Sequence, residues 1–405
     1  MPFRIALSGL NAASADLGVT ANNIANVNTT GFKGSRAEFA EVFAVGTQST
    51  GSSAVGSGVR LSNISQQFAQ GNVDFTDNAL DLAIGGEGFF VLSDNGSRVY
   101  TRAGNFSVDN NGFVVNPAGK RLQAYPPSGD GNFNTGSLND VQLSTGANPP
   151  QSTTAIDYGV NLPADAEPPT ITPFDPTDPN TFNHTTSVTI YDSLGSAHTG
   201  TLYFLKDAAT NTWNTQFTVD GNVVGAGDQL VFGNDGQLQS PVGGVINLPA
   251  YTPGNGAADI TMSLNLEGAT QFGSNFGVNS LAQDGFATGR LTGIEVTSEG
   301  ILFARFTNGQ STELGKIALA DFANAGGLQQ LEDTAWGESF TSGDARLGEA
   351  GTSSFGLIQS GALEASNVDL TEQLVNMITA QRNFQANSQM ISTADTVTQT
   401  VINIR

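Results

Sequence analysis

The sequence predicts a mainly β protein: nested, discontinuous antiparallel β domains carried on an α-helical coiled-coil core formed by its N- and C-terminal helices. Three observations lead there. Apolar residues recur at heptad spacing at both ends of the chain. The stretch between them alternates with period two and is punctuated by Asp-Asn-Gly and Pro-Ala-Gly turns. The 405 residues carry 49 Gly and are 38% hydrophobic, which suits β-rich globular material in two to four domains.

The first element is helical. Phe3, Leu7, Leu10, Ser14, Leu17, Ala21 and Ile24 follow strict 4-3 spacing, a seam of about three heptads. Its other face is uncharged apart from Arg4 and Asp16, and Gly31 is placed to end the helix. The run 46–58 is low-complexity Gly, Ser and Thr and reads as flexible or extended chain.

From Val59 the period becomes alternating. Strands are expected at 89–92, 98–101, 105–108, 113–116 and 120–125, joined by Asp94-Asn-Gly, Asp109-Asn-Asn-Gly and Pro117-Ala-Gly, an antiparallel meander. Eight of the fifteen prolines then fall between Pro149 and Pro179, which marks a boundary or a long extended connection. Further strands are expected at 185–192, 198–205, 213–219 and 260–266, the last with Ile260, Met262, Leu264 and Leu266 on one face. Residues 151–283 hold one cation, Lys206, against twelve acids, a net charge of −11. Such a segment belongs in water. The β pattern resumes at 290–297, 301–306 and 312–319, and a Gly-rich tail, 348–361, leads into the last element.

That element is a helix of about 35 residues, because neither Gly nor Pro follows Ser366. Ser366 or Asn367 is the expected cap, with Asp369 and Glu372 in the first turn. Leu370, Met377, Phe384, Ile391 and Thr398 recur every seven positions, with Leu374, Ala380, Ala394, Val401 and Ile402 beside them. Only Asp369, Glu372, Arg382, Asp395 and Arg405 are charged in the last forty residues. A solvated coiled coil carries Glu and Lys on its outer face. The two poorly charged stripes therefore pair with one another, or offer a joint surface that neighbouring copies bury. The expected plan is a helical core of 1–33 and 362–405, connecting regions 34–70 and 348–361, a first β domain of 71–150 and 284–347, and an acidic outer β domain of 151–283.

The net charge of −22 argues against nucleic acid and anionic membrane surfaces as partners. The chain has no cysteine, so disulfide and thiolate chemistry are excluded. Residues 1–20 do not read as a secretory signal, and no run approaches the roughly 18 apolar residues of a membrane span. Export, if it occurs, is expected to leave no cleaved leader behind.

Catalytic patterns are thin. His184 and His198 lie in a Thr-rich β region without metal-site spacing. Hydrolase, metalloprotease and P-loop motifs are missing from the sequence. Gly85-Gly86-Glu87-Gly88 runs into a strand rather than a helix, unlike a dinucleotide loop. A calcium loop at Asp109 would need Ala118 as its bidentate acid, so a tight turn fits better. No carboxylate pair is singled out. An enzyme is not expected, and neither cofactor nor metal is.

The residues do carry a resemblance. Leu17-Gly-Val-Thr-Ala-Asn-Asn-Ile-Ala-Asn-Val-Asn-Thr-Thr-Gly-Phe-Lys33 resembles the N-terminal signature of bacterial flagellar rod and hook proteins. Gly361-Ala-Leu-Glu-Ala-Ser-Asn-Val-Asp-Leu370 and Ala380-Gln-Arg-Asn-Phe-Gln-Ala-Asn387 resemble their C-terminal signature. Leu80-Asp-Leu-Ala-Ile-Gly-Gly-Glu-Gly-Phe-Phe90 and Tyr100-Thr-Arg-Ala-Gly-Asn-Phe106 are similar to the segment shared in the first β domain. Ser187-Val-Thr-Ile-Tyr-Asp-Ser-Leu-Gly-Ser-Ala-His198, with Tyr203-Phe and Trp213, resembles the second domain of the hook branch.

The resemblance implies a structural subunit that polymerises into the flexible tube joining rod to filament and transmits torque. It implies an extracellular place in the flagellum, type III export, and contacts with the distal rod, hook cap, hook–filament junction and hook-length control proteins. It also implies that Phe3, Leu7, Leu10, Leu17, Ile24, Leu370, Leu374, Met377, Phe384, Ile391 and Val401 pack between subunits. A distal-rod or other axial subunit is one rival, disfavoured by the 151–283 insert. A secreted β-rich glycan-binding or hydrolytic protein is the other.

Overall fold

The computed structural model describes residues 2–42, 56–129, 131–143, 146–352 and 354–403. Most of the low-complexity run 46–58 therefore lies outside the described residues, as do Ser353 and Arg405. The chain divides into two compact units, residues 1–145 with 293–305 and 311–405, and residues 146–292 with 306–310.

The first unit contains both helices. Helix α1 spans Pro2–Ala25 and α2 spans Leu370–Asn403, 34 residues, close to the length expected. Helix α1 stops short of Gly31, because Asn26 to Thr30 unwind into turns. Asp369, not Ser366 or Asn367, caps α2: its Oδ1 accepts the backbone N–H groups of Thr371 at 2.7 Å and Glu372 at 3.1 Å. Asn367 is engaged elsewhere, as shown below.

Beyond α1, strands Ser35–Glu41 and Val59–Gln66 form an antiparallel ribbon. Their polar composition hid them inside a region expected to be a connection. The main sheet of this unit runs in order through Ile301–Phe306, Ser311–Asp321, Arg121–Tyr125, Phe89–Asp94, Ser97–Thr101 and Ala335–Gly337. Asn95 and Gly96 both take positive φ, 51° and 95°, as a tight hairpin turn with right-handed strand twist requires. Edge-to-face rings of Phe68, Phe89 and Trp336 stand 5.5–5.7 Å apart in its core, and Trp336 Nε1 donates to Gln66 Oε1 at 2.7 Å. The ribbon is thereby fastened to the sheet. The Gly-rich tail is not free chain either: Leu357–Ser360 pairs with Leu82–Gly85.

The second unit is built of two sheets. One is a meander of His184–Tyr191, Ala197–Lys206, Thr212–Val219, Asn222–Phe232 and Leu238–Ser240. The other centres on Ala155–Pro163, which pairs antiparallel with Gly277–Gln283 and parallel with Ser263–Asn265 and Thr270–Phe272. Alternate residues of both sheets, among them Ile156, Tyr158, Val160, Leu202, Phe204, Trp213 and Phe217, form one buried core. Ile260, Met262, Leu264 and Leu266 are buried together as expected, although only Ser263–Asn265 is regular strand there.

Candidate functional site

The terminal helices carry the feature that the fold leaves unfinished. They run antiparallel. Asn23 Nδ2 donates to Gln373 Oε1 at 3.2 Å, and Gly9, fourteen residues back along α1, lies against Asn387, fourteen residues forward along α2. The face α1 buries is made of small and polar residues, Ala6, Ala13, Thr20 and Asn23, in heptad phase with Gly9. On α2 the least exposed positions are Gln373, Met377, Ala380, Phe384, Asn387, Ile391 and Ala394, again spaced 4-3.

The large residues named from the sequence divide between two faces. Met377, Phe384 and Ile391 are half-buried on the intramolecular seam of α2. Leu10, Leu17 and Ile24 are half-buried on α1, while Phe3 and Leu7 are 52% and 43% exposed. Leu370 and Leu374 are exposed, as are Val375, Ile378, Met390, Val397 and Ile402. The Val401 side chain lies outside the described residues. The two terminal helices do pair, as expected, with small and polar residues of α1 set against a face of α2 that carries Met377, Phe384 and Ile391. Small residues on α1 let the backbones approach, and much of the bulky apolar surface is left uncovered in the single chain.

Two further facts sharpen this. Helix α1 has 24 residues against 34 for α2, so α2 runs on past Phe3 by about ten residues, roughly 15 Å. An open groove beside the start of α1 is lined by Phe3, Ala386, Met390, Ala394 and Val397, together with Gln389, Thr393, Asp395 and Thr398. The α2 hydroxyls of Thr379, Thr393, Thr396, Thr398 and Thr400 each bond the carbonyl four residues back, a habit that weakens rather than reinforces a helix. Such a helix needs packing to hold it.

At the base of the helix pair lies a buried charged cluster that the sequence reasoning did not single out. The Glu364 carboxylate accepts from Lys33 Nζ at 2.6 Å, Gly71 N–H at 2.9 Å and Arg102 Nη1 at 3.4 Å. The side chains of Lys33 and Glu364 are fully buried, and Arg102 is 5% exposed. Burial pushes the Lys33 ammonium and the Arg102 guanidinium below their ordinary pKa values, and the Glu364 charge opposes that push. Lys33 Nζ also donates to the Ala69 carbonyl at 2.8 Å, and Asn367 Nδ2 donates to the same oxygen at 3.0 Å. Glycine makes the approach possible. Gly31 has φ +67°, and a Cβ there would stand 2.5 Å from the Ala103 nitrogen. The available signal was a charged residue set among Gly and Ala at each of Lys33, Arg102 and Glu364.

Elsewhere, His184 stacks on Phe276 at 4.5 Å, and His198 sits between Asp220 and Asp192, its Nδ1 2.7 Å from Asp220 Oδ2. Asp109 closes its turn by accepting from the N–H groups of Asn111 and Phe113. Among the described residues no group of three or more His, Cys, Asp or Glu is arranged to hold a metal, and no described helix is long and apolar enough to cross a membrane.

Comparison with known proteins gives four family matches. Residues 3–33 match the flagella basal body rod protein family, residues 83–173 the flagellar hook protein FlgE/F/G D1 domain, residues 161–286 the flagellar basal body protein FlaE D2 domain, and residues 359–404 the flagellar basal body rod FlgEFG protein C-terminal region. The flagellar hook protein FlgE of Escherichia coli is 39% identical over 423 residues, covering 100% of both chains. That of Salmonella typhimurium is 39% identical over 426 residues with the same coverage, and that of Borreliella burgdorferi 33% identical with 98% of each chain covered. The crystal structure of Helicobacter pylori flagellar hook protein FlgE2 shares the fold, with a TM-score of 0.55 at 15% identity over 72% of this chain and 100% of that one.

Proposed function

The chain belongs to the flagellar hook protein family, structural axial subunits of the bacterial flagellum, and we propose from that premise that its copies polymerise into a flexible tube transmitting torque from rod to filament. The observation that carries the reading is the helix pair. Phe3, Leu7, Leu370, Leu374, Val375, Ile378, Met390, Val397 and Ile402 are each at least 43% exposed on two helices that lack the charge of a solvated coiled coil. A second copy is the natural cover for such a surface.

In this reading the terminal helices, residues 1–33 and 362–405, form the cohesive part of the tube wall. The β domains, 71–150 with 284–347 and the acidic 151–283, supply the contacts that lengthen and shorten as a curved tube turns. In the single chain α1 and α2 already pack on one another, while their exposed apolar residues stay uncovered until a second copy joins. Partners are the distal rod, hook cap, hook–filament junction and hook-length control proteins. The role is structural and not catalytic. Deleting residues 366–405 tests it: the truncated chain should stay dispersed at concentrations where the full chain forms tubes, and tubes from the truncated chain would refute the helix-core account.

A further inference from the structure

The seam between α1 and α2 poses a problem of register. It sets small residues of α1, Ala6, Gly9, Ala13 and Thr20, against a mixed face of α2 that holds Ala380 and Asn387 between Met377, Phe384 and Ile391. With only small side chains on the α1 side the holes are shallow, so a slip of one turn, about 5.4 Å, costs less than in a seam with large residues on both helices. Something else must choose one alignment.

The charged cluster at the base stands where it can do so. The segment leaving α1 and the segment entering α2 are bonded to each other there, atom by atom. Gly31 N–H donates to the Glu364 carbonyl at 2.7 Å, Lys33 Nζ donates to the Glu364 carboxylate, and Gly34 N–H donates to Asn367 Oδ1 at 2.8 Å. Asn23, on the last turns of α1, accepts the Ser35 N–H at 2.9 Å and donates to the Ser35 carbonyl at 2.8 Å as well as to Gln373 of α2. Arg102 joins this knot to the β body through Glu364 and lies over the Phe89 ring, 5.3 Å from its centre.

Glu364 is the member the others depend on. Two buried cations share its single carboxylate, so its removal leaves Lys33 without a counter-charge and Arg102 with only the weaker attraction of Glu87 and Asp321, whereas removal of Lys33 leaves an intact Glu364–Arg102 pair. Hydrogen bonds of fixed length and direction also discriminate between alignments in a way that apolar contact does not.

We infer that Glu364, gripped by Lys33 and Arg102, is a positioning residue that sets the register of α1 against α2 and so the apolar surface that the pair presents to the next subunit. The last clause rests on the polymer reading above. The register itself does not.

The cysteine-free sequence makes the test direct. Two double-cysteine reporters are built in the full-length chain, Gly9→Cys with Asn387→Cys for the native alignment and Gly9→Cys with Ile391→Cys for a one-turn slip. Intramolecular disulfide yield is read by gel mobility, in dispersed protein and in tubes. The otherwise unaltered chain should favour the native pair by about tenfold or more, the ratio that about 1.4 kcal/mol of preference gives. Lys33→Met should reduce the ratio several-fold. The apolar triple variant Lys33→Met, Arg102→Met, Glu364→Leu should stay folded, because apolar replacement of a buried ionic group is often tolerated, and should crosslink both pairs about equally. A cluster that merely stabilised the fold would leave the ratio unchanged in a folded triple variant. Undiminished preference there, or in Lys33→Met if the triple variant does not fold, would overturn the inference, as would a lack of preference in the unaltered chain. Failure of the unaltered chain to form tubes would instead count against the polymer reading, with the crosslink ratio still readable in dispersed protein.

Discussion

The exposed face of α2 makes a quantitative demand on assembly. Met390 and Val397 are 51% and 57% exposed in the single chain and line the groove beside Phe3. Fully burying such a side chain is worth about 1.5–3 kcal/mol, so covering the exposed half of each contributes about 1 kcal/mol, and the pair about 2 kcal/mol per subunit. Gln is as good a helix former as Met and better than Val, which makes Met390→Gln with Val397→Gln gentle on the helix itself. At tenfold per 1.4 kcal/mol, the lowest concentration at which tubes form should rise about 30-fold. Sedimentation across a dilution series measures it. The dispersed variant should melt where the unaltered protein does, because substitutions at open surface positions rarely move stability by more than about 0.5 kcal/mol. A critical concentration within threefold of the unaltered protein's would refute the claim that this face is buried between subunits. A lowered melting temperature in the dispersed state would place it within the monomer.

Three other outcomes follow from the geometry. Gly31→Ala places a Cβ 2.5 Å from the Ala103 nitrogen at a φ of +67°, so it should destabilise the first unit by about 1–3 kcal/mol in urea unfolding while the second keeps its own transition. Asp369→Ala removes the cap of α2 and should cost about 1 kcal/mol, read as faster hydrogen exchange confined to the first turn of that helix. In the second unit, burial alone would depress the His198 pKa, but the hydrogen bonds and charges of Asp220 and Asp192 outweigh it and hold the imidazolium above its usual value, with the Tyr251 ring edge-on at 6.4 Å. The stabilisation is therefore complete below about pH 6.5 and lost as pH rises through the raised pKa. The melting temperature of that unit should fall over this window, and His198→Gln should flatten the slope.

Much of this architecture was legible in the chain. The heptad stripes located both helices because a 3.5-residue period leaves few alternatives, and Asp94-Asn-Gly fixed a hairpin because Asn95 and Gly96 tolerate positive φ. Asn222–Phe232 was not legible. Gly225 and Gly227, both at positive φ, break its alternation where the register slips against Thr215 to Phe217. The parallel partners of Ala155–Pro163 lie about a hundred residues away, beyond any local pattern. At the helix pair, periodicity identified the apolar residues but not their destinations. Which stripe faces inward depends on Gly9, Ala13 and Ala380, whose importance lies in the bulk they lack. The cluster of Lys33, Arg102 and Glu364 was missed for a different reason: its three members are separated by up to 331 positions, and a charge set among Gly and Ala hints at burial without naming its partner.

Electron microscopy of the concentrated full-length protein shows whether its copies form tubes and what covers the terminal helices. Straight or curved tubes of uniform diameter are expected, with density for α1 and α2 packed between subunits and Met390 and Val397 covered by a neighbouring copy. Dispersed particles under the same conditions, or tubes in which those helices stand clear of one another, would contradict that expectation.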